Sequence, residues 1–136
     1  MALLHWRDNM SVGVEAVDND HKHLVDLLNK LHFLRLAGAD RASVGEVLEE
    51  LLRYTEYHFE REEKLMESCS YPDLADHREL HQDLARKLWE YTKTFEDRPD
   101  SFDIETFYDF LSDWLLVHVL EKDMKYKPYV LGEVDA

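Results

Sequence analysis

Seven side chains in this chain have the right types and spacing for chemistry: His21, His58, Glu62, His77, His81, His118 and Asp123. Five imidazoles and two carboxylates, without a thiolate among them, make a ligand set for metal. His58 with Glu62, and His77 with His81, stand four residues apart. On a helix that spacing puts two side chains about 40° apart, on one face and one turn up. One helix then offers two ligands to one side, and two neighbouring helices offer four. A structural zinc site uses about four ligands, often with cysteine. The larger, thiolate-free set suits two ions that share bridging carboxylates, and imidazole with carboxylate suits iron. The histidines divide unevenly: His77, His81 and His118 come from the second half of the chain, His21 and His58 from the first. Equal sharing of the carboxylates leaves the two-histidine ion one ligand short. An open position is what a small diatomic ligand or a substrate needs.

These residues need elements to hold them. Residues 1–18 mix apolar and polar groups without a helical period. They read as an extended arm whose Leu3, Leu4, Trp6, Met10, Val12, Val14 and Val17 pack on the domain. Helices are predicted over about 19–37, 43–68, 72–95 and 102–122, from apolar residues three and four apart. Asp18 and Asp20 offer start chemistry for the first helix, and Ser43 with Glu46 forms a capping-box pattern for the second. Pro72 suits a first helical position in the third. The second stripe runs Val44, Val47, Leu48, Leu51, Thr55, His58, Glu62, Met66, so a polar trio faces the side where a core belongs. His77 and His81 likewise share a stripe with Leu74, Leu84 and Leu88. A single inward histidine is ordinarily a satisfied core residue. Several on one bundle, with carboxylates, cost free energy unless bonded or metal-bound. His118 and Asp123 are five apart, roughly 140° of rotation in a regular helix. Both face one site only if the helix ends between them or carries a wide π-type turn. Four amphipathic helices with short connections make an all-α, up-down-up-down antiparallel bundle, one domain over 1–136 with an extended N-terminal arm.

Composition narrows the partners. The chain has 136 residues and a formal net charge of −14, which argues against nucleic acid and against an anionic membrane surface. Cys69 is its one cysteine, so no intrachain disulfide forms, and a reducing, cytoplasmic setting is expected. The N-terminus has no apolar stretch of signal-peptide type, and no segment is long enough to span a bilayer. His5, His23 and His32 read as bystanders: His23 points away from His21, and His32 lies three turns further along. Glu60, Glu63 and Glu67 read as a solvated face, and Cys69 as an inter-helix residue.

The residues resemble the hemerythrin family, in its single-domain bacterial type. The resemblance spans most of the chain. It rests on Trp6, on Val17-Asp18-Asn19-Asp20-His21-Lys22-His23-Leu24, and on His58-Phe59-Glu60-Arg61-Glu62-Glu63 followed by Met66. It continues through His77 with His81, and Trp114-Leu115-Leu116-Val117-His118 followed by Asp123. It implies a non-heme di-iron site in a four-helix bundle. His77, His81 and His118 would bind one iron, and His21 and His58 the other. Glu62, Asp123 and an oxo or hydroxo group would bridge them. It further implies reversible binding of molecular oxygen at the two-histidine iron, for storage, delivery or sensing, with an oxygen-consuming enzyme as a partner. One departure stands out: Asp20 occupies the place where the family usually has glutamine before the first histidine. It would tune the redox potential or serve as a helix cap.

Leu24, Leu28, Phe59, Trp114, Leu115 and Val119 are candidate apolar walls near the ligands. A dry wall limits proton delivery, and so limits breakdown of bound oxygen to peroxide or water. With no spare inward acid, base or nucleophile, the chain reads as a binding protein rather than an enzyme. The rivals are a di-iron oxidase, peroxidase or ferroxidase, and a redox sensor. Ferritin-like sites use Glu-x-x-His pairs, and this chain has none.

Overall fold

The structure is a computed structural model that describes residues 4–38 and 40–133, with the side chains of Val119 and Leu120 outside the description. Helices α1 (Glu15–Leu36), α2 (Arg41–Ser68), α3 (Leu74–Asp97) and α4 (Ile104–Val117) form the bundle. A six-residue π segment, His118–Asp123, continues α4 and leads into a short α5 (Met124–Val130). Short connections make successive helices antiparallel. Helix α1 packs against α2 and α4, and α2 against α3. Ring contacts of Tyr91 with Phe107 and Phe110 join α3 to α4. Among the described residues there is no strand.

Helix starts differ from the sequence reading. Helix α1 begins at Glu15, not near 19, because Asp18 works backwards on the arm rather than as a cap. Its carboxylate accepts from the Val12 amide at 2.9 Å and from the Ser11 hydroxyl. Asp20 is no cap either, since it lies in the second turn and is buried. Helix α2 begins at Arg41, with Asp40 as its cap, accepting from the Ser43 amide at 2.8 Å. Ser43 therefore sits inside the first turn. Pro72 belongs to the turn before α3, which starts at Leu74 and runs on to Asp97. Asp103 caps α4 by accepting from the Glu105 amide at 3.0 Å.

The π segment settles the spacing of His118 and Asp123. Its i→i+5 pattern widens the turn. Residues five apart then share a face, and His118 Nε2 comes 2.7 Å from Asp123 Oδ1. The core is divided in two. A large apolar cluster includes Leu24, Leu28, Leu31, Leu48, Leu51, Leu84, Leu88, Phe107 and Leu111. A smaller one holds Val12, Val17, Met66, Tyr71 and Tyr126. Along α1 the order is Val17, His21, Leu24; along α2 it is Leu51, His58, Glu62, Met66. The polar residues thus form a layer between the two apolar clusters.

Gly13 turns the arm into α1 with φ +80, and a Cβ there would meet Leu131 Cδ2 at 2.9 Å. Gly13→Ala is expected to destabilise the fold by about 1–3 kcal/mol, read as a lower urea midpoint with an unchanged slope.

Candidate metal centre

Each helix of the bundle delivers ligands by a local rule. His21 rides on the buried face of α1, one turn before Leu24. His58 and Glu62 stack one turn apart on α2, and His77 and His81 one turn apart on α3. His118 and Asp123 come from the two ends of the π segment. All seven are buried, with Glu62 and Asp123 at 0% exposure.

Their atoms fall into two overlapping groups, each within 4.8 Å. One is Glu62, His77, His81, His118 and Asp123; the other is His21, His58, Glu62 and Asp123. The carboxylates belong to both, and they divide by atom. Glu62 Oε1 lies 2.9 Å from His77 Nε2, 3.0 Å from His81 Nε2 and 3.5 Å from His118 Nε2. Glu62 Oε2 lies 3.0 Å from His58 Nε2 and 3.4 Å from His21 Nε2. Asp123 Oδ1 faces His118 at 2.7 Å and His77 at 3.1 Å, while Oδ2 faces His21 at 3.0 Å. Glu62 turns one oxygen to three histidines and the other to the remaining pair, and Asp123 turns one oxygen to His77 and His118 and the other to His21.

The donor set fits a pair of cations. Among the described residues, His21 Nε2, His58 Nε2 and both oxygens of Asp123 are buried without a hydrogen-bond partner, as is His21 Nδ1. They approach one another closely but are not aligned as donor and acceptor. Orphaned buried polar atoms are costly. Atoms that converge on common points instead of on each other are what a coordinated ion requires.

Outer contacts hold the ligands. The Tyr126 hydroxyl donates to Glu62 Oε2 at 3.2 Å. Phe59 stacks on His81 with centroids 3.7 Å apart, and Trp114 stacks on His118 at 4.3 Å. His58 Nδ1 lies 3.1 Å from Asp20 Oδ2, and His81 Nδ1 lies 3.0 Å from Glu63 Oε2. Glu63 therefore leaves the solvated face predicted for it, while Glu60 and Glu67 stay on that face, mostly exposed. Sequence reasoning also missed Tyr126. Its one signal was a place three residues after Asp123, a helical neighbour of a candidate ligand.

The bystanders lie apart. His5 is exposed. His23 pairs with Glu50 at 3.5 Å on the outside, and His32 packs among Phe33 and Tyr108. Cys69 ends α2, its thiol 3.4 Å from the Met66 carbonyl.

Beside the cluster lies an apolar cavity lined by Leu24, Leu51, Phe59, Leu84, Leu111, Trp114 and Leu115, with Thr55 and the edges of His21, His58 and His118. It leaves about 10 Å³ for the centre of a water-sized molecule, room for about one. Leu28 does not line it. It lies one turn further along α1 than Leu24, within the large apolar cluster. Val119, the other predicted wall residue, has its side chain outside the described residues.

Electrostatics in the metal-free chain follow from crowding. Burial alone would push the His21 and His118 imidazoliums down, but Asp123 and Glu62 outweigh it, raising His21 to about 10 and His118 to about 9. Burial alone would raise Glu62 and Asp123, yet the surrounding imidazoles hold both below the usual carboxylate range. His81 is pushed down by burial. Against burial, the neighbouring carboxylates raise His58 and His77 as well. The four raised histidines stabilise the metal-free fold fully below their ordinary value of 6.5 and lose that contribution as pH rises, for His118 and His21 through about 9 and about 10. The two carboxylates contribute above their ordinary values of 4.5 and 3.8, and lose it as pH falls. The metal-free chain is therefore expected to resist urea best near pH 5–6, with a falling midpoint towards about pH 9–10. Metal displaces imidazole protons, so loading should reverse the alkaline loss. An alkaline decline of equal size in loaded and metal-free protein would contradict this.

Comparison with known proteins agrees with the geometry. The family model described as Hemerythrin HHE cation binding domain matches residues 12–130. A bacteriohemerythrin of Stenotrophomonas maltophilia is 36% identical over 135 residues, covering 99% of this chain and 86% of the relative. A myohemerythrin of Theromyzon tessulatum is 30% identical over 122 residues, covering 90% of this chain and 89% of the relative. A crystal structure of wild-type hemerythrin superposes with a TM-score of 0.86 at 30% identity, covering 95% of this chain and 98% of that one. On the match of its sequence and of its four-helix architecture, the chain belongs to the hemerythrin family.

Proposed function

We propose that this chain binds molecular oxygen reversibly at a pair of iron ions held by the seven buried side chains. The observation that carries the reading is the division of Glu62 and Asp123, one oxygen of each towards His77 and His118, the other towards His21. In this reading His77, His81 and His118 hold one ion and His21 and His58 the other. Glu62 and Asp123, which belong to both groups of candidate ligands, would be shared between the two. Iron held there would supply a reducing centre for a diatomic ligand.

The chain's own residues do the rest. The apolar cavity borders His21 and His58, and His118 as well, so a diatomic molecule can wait beside the centre. Leu24, Leu51, Leu84, Leu111, Trp114 and Leu115 keep water and its protons away, which favours release over breakdown. The stacked rings of Phe59 and Trp114 hold His81 and His118 in orientation. Tyr126 keeps its proton, since burial and the two carboxylates raise its value, and so remains a donor to Glu62. Apart from the candidate ligands, no acid or base lines the cavity among the described residues. That supports binding rather than catalysis. No described helix is long and apolar enough to cross a membrane. A cytoplasmic role in storage, delivery or sensing, handing oxygen to a consuming enzyme, suits the single cysteine.

The test is an absorption spectrum of the reduced protein, taken before oxygen, after oxygen and after its removal. Full return to the first spectrum is expected. Irreversible oxidation with turnover of an added reductant would favour an oxidase. His118→Ala is expected to lower iron content and loaded-state stability together, because the remaining buried ligands lose a partner. Retention of two irons per chain would remove His118 from the ligand set.

A further inference from the structure

We propose that Asp20 is a positioning residue that acts through His58 to set the redox potential of the two-histidine half of the centre. The inference rests on the two-iron reading above and deepens it.

The five imidazoles differ in what backs them. On the three-histidine side, His81 Nδ1 meets Glu63. On the two-histidine side, His58 Nδ1 meets Asp20, while His21 Nδ1 has no partner among the described residues. Outer support of that half therefore falls on Asp20. The two backing carboxylates also differ in surroundings. The side chain of Asp20 is 3% exposed, and that of Glu63 is 25% exposed. Asp20 precedes His21 on α1, so it turns about 100° away from the centre and reaches α2. There its Oδ1 accepts from the Tyr54 hydroxyl at 2.9 Å, and its Oδ2 lies 3.1 Å from both His58 Nδ1 and Arg61 Nε. Three donors on one buried carboxylate hold it ionised and fixed.

Two consequences follow. An Nδ1–H bonded to a carboxylate fixes the tautomer and leaves Nε2 free as a ligand. Here Nε2 faces the centre, 3.0 Å from Glu62 Oε2. A dry negative charge behind the ring also makes the imidazole more electron-donating and favours the oxidised ion. Arg61, with its side chain 34% exposed, offsets part of that charge from the solvent side. Glu63 sits in a wetter place beside Arg78, so its effect on the other half is smaller.

Anaerobic redox titration of the iron-loaded protein and its variants tests this. Asp20→Asn keeps the shape and an acceptor for His58 Nδ1–H but removes the charge. At the wild-type midpoint its oxidised-to-reduced ratio should fall about tenfold, a rise of about 59 mV for a one-electron couple. Arg61→Gln should shift the ratio the other way by a smaller factor, and Glu63→Gln should raise the midpoint less than Asp20→Asn. A midpoint for Asp20→Asn equal to wild type, or a rise for Arg61→Gln, would overturn the proposal. Were Asp20→Asn to lose its iron, the sign of the Arg61→Gln shift would decide. The titration needs no oxygen. A wild type that takes up iron but fails to oxygenate reversibly therefore counts against the functional reading alone.

Discussion

The fold depends on a layer of carboxylates and imidazoles buried inside a helical bundle. Such a layer is expensive, because every group in it has left water. It persists only where opposite charges and donor atoms interleave closely. Here Glu62 and Asp123 are surrounded by five imidazoles, and each of their oxygens meets at least one ring nitrogen within 3.5 Å. The rest of the structure serves that layer. Apolar clusters close it on both sides. The arm is pinned through Asp18 and brings Val12 and Met10 to cover the core.

Asymmetry within the layer is what makes it more than a structural site. Three imidazoles gather around one oxygen of Glu62 and two around the other. The apolar cavity touches both histidines of the pair, His21 and His58, and one of the three, His118. Room and dryness coincide there. The same asymmetry extends outward: the two-histidine side leans on the dry Asp20, and the three-histidine side on the wetter Glu63.

Much of this is legible in the sequence, for a definite reason. Pairs four residues apart report a helical face directly, so His58 with Glu62 and His77 with His81 need no tertiary information. The awkward five-residue step from His118 to Asp123 predicts that the helix ends or widens between them, and a π segment lies there. What the sequence conceals are roles set by neighbouring helices. Asp20 resembles a cap on α1 until α2 brings His58, Tyr54 and Arg61 to it. Glu63 resembles a solvated residue until α3 brings His81 alongside. Helix starts are hidden for a related reason. Asp18 has capping chemistry but uses it on the arm, and Asp40 caps α2 where the sequence pattern points to Ser43.

In the proposed centre, one layer of seven side chains holds two ions in unequal environments. An anomalous-difference map at the iron edge, from crystals of the iron-loaded protein, tests it most directly. Two peaks are expected. One should be contacted by His77, His81 and His118, the other by His21 and His58, and both by Glu62 and Asp123. A single peak, or a second one away from His21 and His58, would contradict it.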